Sequence, residues 1–219
     1  MSKPVSLVRK AINKVRYGMF LHSLVGRLRH IGLVIYPYYL VREQFKAASD
    51  LQVSIKPKLE SLTTGFLEAD EIVSAMQDQE QNAPAGGYTS AQRVADGCLC
   101  FGVKNGQEVI AYTWCDLKVC NHEPLPFELG AAEAYLFDMY TSEEYRGKNL
   151  APFMRHELYT HLNEIGRTDF FSVTDAFNSA SKRFKSKLGA EPVKLYFYIK
   201  VGSLFERNIL LKSYCLEKQ

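Results

Sequence analysis

In its 219 residues the chain has no apolar run of the ~18 residues that a membrane-spanning helix needs. Near its start Arg9, Lys10, Lys14 and Arg16 interrupt every apolar stretch, so the h-region of a secretory signal is missing as well. Five Cys, an odd number, with no export signal point to reduced thiols and a cytoplasmic protein. Their spacing excludes a four-ligand zinc site: Cys98 with Cys100, or Cys115 and Cys120 with His122, falls short of the paired pattern, and no metal is expected. The G-x-S-x-G turn of a serine nucleophile is absent. A Walker A loop is excluded too, because Gly147-Lys148 is followed by Asn149 and lacks the upstream glycine. The most uneven absence is of acid. Before Glu43 there is none, against Lys3, Arg9, Lys10, Lys14, Arg16, Arg27, Arg29 and Arg42, which leaves 19 cations facing 24 acids in the rest. Such a basic segment faces an anionic partner or packs on its own acidic domain.

What is present is an ordinary globular balance, 47% apolar and 23% charged, with 13 Tyr and 13 Phe to build a large core. Val8, Ala11, Ile12, Val15 and Met19 recur at helical spacing, so residues 1–45 read as a basic helical segment and a first strand, with 46–219 forming the main domain. A second helical stretch carries Leu21, Leu24 and Leu28. Leu33 to Phe45 reads as a strand in which Pro37 argues for a bulge or an edge. Glu68 to Gln77 reads as a helix and Asn82 to Gly87 as a loop. Cys98–Val103, the turn pair Asn105-Gly106, and Val109–Leu117 form a hairpin signature. Ala134–Tyr140 is a strand. Leu150–Ile165 is a helix with Leu150, Met154, Leu158, Leu162 and Ile165 on one face and Gly166 as its stop. Phe170–Thr174 is a buried strand, Asn178 or Ser179 caps a helix ending near Gly189, and two strands around Gly202-Ser203 close the chain. The order gives a mixed α/β domain with one β-α-β crossover.

The chemistry concentrates in Tyr145-Arg146-Gly147-Lys148-Asn149-Leu150-Ala151-Pro152, between a strand and an amphipathic helix. A helix N-terminus offers unpaired N–H groups and a partial positive charge to phosphate. Gly147 admits a close anion, Asn149 tolerates a left-handed backbone, Pro152 suits the first turn, and Arg146 and Lys148 add charge. A glycine turn feeding a surface helix with solvated cations is the alternative.

The block from Ala134 to about Leu211 resembles the GNAT superfamily of acyl-CoA N-acyltransferases. Arg146 to Ala151 fits that family's [Q/R]-x-x-G-x-[G/A] pyrophosphate loop, with Asn149 where glycine is usual. Asn178-Ser179-Ala180-Ser181 through Lys187-Leu188-Gly189 is similar to its N-x-x-[A/S]…K-x-G element. The resemblance implies the GNAT-like fold: a central, mostly antiparallel sheet with a parallel β-α-β crossover at the cofactor site. It implies acetyl-CoA or another acyl-CoA as co-substrate, touched by Met139, Tyr140, Thr141, Arg146, Gly147, Lys148, Asn149, Leu150, Ala151, Asn178 and Ser181. Backbone N–H groups near Met139 to Thr141 would polarise the thioester carbonyl.

That resemblance implies an N-acetyltransferase acting on a primary amine of a small molecule or sugar precursor. The amine must lose a proton before it attacks, and Glu133 and Asp138, flanking the strand, are the candidate bases, with solvation or structural pairing as the alternative for each. Many members carry an acidic Tyr seven residues after the Asn. Lys185 stands there instead and reads first as a solvated helix-surface lysine, with a partly buried lysine whose pKa is lowered as the alternative acid, so the acid is unassigned. His156 and His161 read as surface or packing residues, and Tyr196-Phe197-Tyr198 as the two faces of a late strand or part of a cleft. Two other readings use the basic N-terminus at an anionic membrane surface. One is a long-chain N-acyltransferase fed by acyl-CoA or acyl carrier protein, peripheral to the inner face of a membrane. The other is a non-catalytic GNAT-like interaction domain. A basic amphipathic helix fits a membrane better than nucleic acid, and a monomer and a homodimer both remain open.

Overall fold

The computed structural model describes residues 32–44, 59, 61–81 and 88–215, with side chains of 77–81 set aside. The helical stripe of Val8 to Met19, the stretch to Leu28 and the loop at Asn82 to Gly87 lie outside them. The described elements are β1 (Leu33–Gln44), β2 (Leu62–Phe66), α1 (Ala69–Gln81), α2 (Ser90–Ala95), β3 (Leu99–Asn105), β4 (Glu108–Asp116), β5 (Val119–Cys120), β6 (Phe127–Glu128), β7 (Glu133–Thr141), α3 (Leu150–Glu164), β8 (Asp169–Asp175), α4 (Ser179–Lys187), β9 (Glu191–Val201) and β10 (Phe205–Ser213). The chain divides into two compact units. One takes the chain up to Arg42 with His122–Leu125 and Ser172–Gln219; the other takes Glu43–Asn121 and Pro126–Phe171.

In the second unit the strands run in the order β8-β7-β4-β3-β2. The pairs β2·β3, β3·β4 and β4·β7 are antiparallel, whereas β7 and β8 are parallel, paired from Glu133↔Asp169 to Tyr135↔Phe171. α3 connects these two, which is the expected crossover. The hairpin closes on the pair Asn105↔Glu108, so its two-residue loop is Gly106-Gln107. Both faces of the β3–β4 ribbon are covered, which is why β4 reads as a nearly unbroken apolar run. Leu67, Ile72 and Met76 pack with Cys100, Tyr112 and Trp114 in one core cluster. Gly102 lies in this ribbon because a Cβ there would sit 2.6 Å from the Leu67 side chain. Leu150, Met154, Leu158 and Leu162 of α3 are buried, each contributing roughly 1.5–3 kcal/mol. Ile165 departs from the expected stripe: the helix ends one residue earlier, and Ile165 is 57% exposed.

α1 runs four residues beyond the expected Gln77. The sequence reading missed α2 altogether, although its signal is present: Thr89 accepts from the Gln92 N–H, and the Gln92 side chain accepts from the Thr89 N–H, a capping box.

In the first unit the order is β10-β9-β1-β8, with β1·β9 and β9·β10 antiparallel. Pro37 is not at an edge, and the bulge against β9 falls at Leu40/Val41. Proline is tolerated in this inner strand because its peptide group faces the place where β8 has ended. The Pro37 carbonyl accepts from Ala176, the first residue past that strand. Tyr36 and Tyr38 of β1 meet Tyr198 and Tyr196 of β9 on one buried face.

Candidate functional site

In the second unit β7 breaks its regular ladder where the sequence places the candidate base. Pairing with β4 passes from Trp114↔Phe137 to Tyr112↔Tyr140, so Asp138 and Met139 form a bulge opposite Thr113, whose hydroxyl donates to the Phe137 carbonyl at 3.2 Å. Asp138 sits at φ +42°, a left-handed conformation that costs a non-glycine residue about 1–3 kcal/mol. Its carboxylate is held by Arg93 of α2 at 2.5 Å. The Arg93 guanidinium in turn lies against the rings of Trp114 and Phe137, 5.2 and 5.4 Å from their centroids. Arg93 is the residue sequence reasoning missed. The capping box that places it was readable, but its partner 45 positions away was not. Glu133, the other candidate base, begins β7 and closes a turn by accepting the Gly130 N–H at 2.8 Å.

Met139, Tyr140 and Thr141 finish β7, with Tyr140 stacked on Tyr112. A short 3-10 turn, Glu143–Tyr145, leads into the loop. Tyr145 ties it to the β3–β4 hairpin, since its hydroxyl donates to Glu108 at 3.2 Å and accepts from Asn105 at 3.4 Å. Arg146 folds back, its Nε donating to the Thr141 carbonyl at 3.0 Å and its fork lying 3.5 Å from Glu143. Gly147 and Asn149 both have positive φ, +79° and +68°. Nothing lies within 4 Å of a Cβ at Gly147, so backbone conformation and not crowding requires glycine there. Asn149, in the αL region, serves where the resemblance expects glycine. Lys148 spans the Tyr145 ring at 4.9 Å. Leu150 is buried and Ala151 half-buried at the start of α3, so the loop is anchored from below.

The same helix is pinned by charge. Arg155 and Glu43 are both buried, with Nε 3.7 Å from Oε2, and the Tyr159 hydroxyl donates to the same carboxylate. Burial first, then the neighbouring Glu43, raises the Tyr159 phenol well above its usual range, so it stays a hydrogen donor. His156 is buried in the packing, and His161 lies against the Phe101 ring.

Asn178 and Ser181 belong to the first unit. Asn178 caps α4 by accepting the Ser181 N–H at 3.0 Å. The Ser181 hydroxyl lies 3.3 Å from that of Thr174 on β8. Lys185 overturns its reading as a solvated lysine. It is 5% exposed, and its Nζ donates to Ser172 at 2.7 Å and to Thr174. The helical period points it inward, one turn past Ser181, onto the two β8 side chains that face α4. Tyr196 and Tyr198 share the inner face of β9. The Tyr198 phenol is pushed up to about 12, by burial first and then by its hydrogen bond to Glu206.

Among the described residues no three His, Cys, Asp or Glu side chains gather as a metal site requires. Burial pushes the Cys98, Cys100 and Cys115 thiols up to about 12, as fits their place in the core. No helix among those residues is long and apolar enough to cross a membrane.

A mixed α/β chain with a mostly antiparallel sheet, one parallel β-α-β crossover, a bulged β7 and a left-handed loop before α3 has the GNAT fold, that of the GCN5-related N-acetyltransferases. Among solved structures it is similar to a GCN5-related N-acetyltransferase-like protein from Streptococcus suis 89/1591, with 17% identity and a TM-score of 0.55 over 85% of this chain and 67% of that one. A GCN5-related N-acetyltransferase from Kribbella flavida is 13% identical, with a TM-score of 0.52 over 80% of this chain and 62% of that one. The GCN5-related glucosamine N-acetyltransferase region of a fungal multi-domain GH3 β-N-acetylglucosaminidase is 13% identical, with a TM-score of 0.54 over 82% of this chain and 22% of that one. No protein-family model matches the sequence, and no curated protein matches it.

Proposed function

We propose that the protein is an acyl-CoA-dependent N-acyltransferase that moves an acetyl group from acetyl-CoA to a primary amine of a small molecule or sugar precursor. The observation that carries this reading is the loop from Arg146 to Ala151. Left-handed residues at Gly147 and Asn149 turn the backbone into the N-terminus of α3, and two cations flank it. That is the chemistry a pyrophosphate needs. The bulge at Asp138 and Met139 supports a second part of the reading, in which β7 backbone near Met139 to Thr141 meets the acyl arm.

Of the two candidate bases, Asp138 is the better. Its carboxylate is exposed at the bulge and aimed by Arg93, whereas that of Glu133 is committed to the Gly130 turn. Asp138→Asn is expected to lower kcat at least 100-fold, with Glu133→Gln within a few-fold of the parent. The decisive test is release of free thiol from acetyl-CoA with a panel of primary amines, including amino sugars, beside calorimetric titration with coenzyme A. Absence of both turnover and binding rejects the proposal.

A further inference from the structure

In the first unit β9 and β10 form a hairpin, and β10 ends the strand order, paired on one side with β9. Its alternate residues do opposite work. Glu206 and Asn208 accept from Tyr198 at 2.9 Å and from Tyr38 at 3.0 Å, so this row fixes the strand. Phe205 and Ile209, in the other row, stand opposite Val201 and Phe197 of β9, and both are exposed. In the turn between the strands Leu204 is 90% exposed, next to an exposed Val201. The hairpin thus ends in a group of apolar side chains open to water, which marks an interaction site.

The charge around this tip says what covers it. Glu206, the acid of β10, is matched by Lys200 at 3.1 Å. Arg207 lies over the Phe205 ring, 5.8 Å from its centroid, and Lys212 over that of Tyr214 at 4.6 Å. Among the described residues neither has a carboxylate partner, so both keep their charge for something outside. The Gly202 N–H donates to the Gly32 carbonyl at 2.7 Å, so the chain enters β1 at this same tip. Before Gly32 the sequence carries seven Lys and Arg and no acid. An anionic bilayer matches both features, since its hydrocarbon takes an apolar tip and its phosphates take cations. A second copy matches them poorly, because its edge would bring the same cations against these. We propose that the β9–β10 hairpin docks the protein on an anionic lipid surface, with Leu204 and Phe205 entering the interface and Arg207 and Lys212 meeting lipid phosphates. This docking is independent of the acyl-transfer reading and adds an apolar anchor to the basic N-terminal sequence.

The test is co-sedimentation of the full chain with vesicles of phosphatidylcholine alone, or of equal parts phosphatidylcholine and phosphatidylglycerol. The parent is expected to bind the anionic vesicles at least tenfold more tightly, and less so at high salt. Leu204→Ser with Phe205→Ser should weaken that binding about tenfold, and Arg207→Gln with Lys212→Gln by a similar factor. Because these side chains are exposed, each double variant should keep a thermal midpoint within about 2 °C of the parent. Insertion is read directly from a Leu204→Trp variant. Trp114, the single Trp of the parent, is fully buried, so a blue shift on adding anionic vesicles reports position 204. Vesicle binding without that shift, and unchanged in both double variants, would assign docking to the N-terminal sequence and overturn the proposal. Failure of the parent to bind anionic vesicles overturns it too. So does self-association in sedimentation velocity that Leu204→Ser with Phe205→Ser abolishes, when no vesicle binding accompanies it, since the tip is then an interface between copies.

Discussion

The two helices that carry the candidate residues, α3 and α4, are both fixed by a buried polar side chain further along, but by different physics. Six residues past its Asn149 cap, α3 sends Arg155 to the buried Glu43 carboxylate, which Tyr159 also donates to. Seven residues past its Asn178 cap, α4 sends Lys185 to two hydroxyls. Across the α3 pair opposite charges offset each other. On α4 the lysine instead donates to neutral hydroxyls, which carry no opposite charge. A buried side chain therefore ties each helix to its neighbours, through a carboxylate in one case and through hydroxyls in the other.

This comparison can be broken by substitution. The largest effect is expected at Glu43→Ala, which removes a carboxylate from two buried partners and should cost about 3–5 kcal/mol in urea unfolding. Lys185→Met should cost less, about 1–3 kcal/mol, because the hydroxyls it leaves are neutral and can re-pair with one another. An equal or larger loss at Lys185 would show that hydroxyls hold a helix as firmly as an opposite charge does. Asn178→Ala deletes the α4 cap and should cost about 1 kcal/mol, read as a shift in thermal midpoint. Least of all for stability, Arg146→Ala or Lys148→Ala should change unfolding by no more than about 0.5 kcal/mol. Each is expected to weaken coenzyme A binding about two- to fivefold, and less at high salt.

Much of this was readable from local pattern. The β3–β4 hairpin follows from the two apolar runs that flank Asn105-Gly106, and α3 from its apolar stripe, because both signals are local in the chain. The end of α3 was misplaced at Ile165 because a helix terminus depends on the following turn as much as on the stripe. Pro37 was misread for a related reason. A missing N–H is tolerated wherever the neighbouring strand has already ended, and only the sheet shows where that is. α2 was missed although Thr89 and Gln92 announce it, since six residues carry too little periodicity to stand out.

The loop from Arg146 to Ala151 marks the boundary between the two kinds of information. The sequence alone determined its conformation, since glycine and asparagine are the residues that accept positive φ and Pro152 fits a first helical turn. It also narrowed the α4 cap to Asn178 or Ser179, because a cap is made within four residues, and the structure assigns it to Asn178. Tertiary structure alone decided that Asp138 is clamped by Arg93, that Glu43 meets Arg155, and that Lys185 lies buried on Ser172 and Thr174. Each of those pairings joins groups far apart in the chain. A charged side chain carries no mark of whether it will find water or a partner, and the fold settles that by what it packs against it.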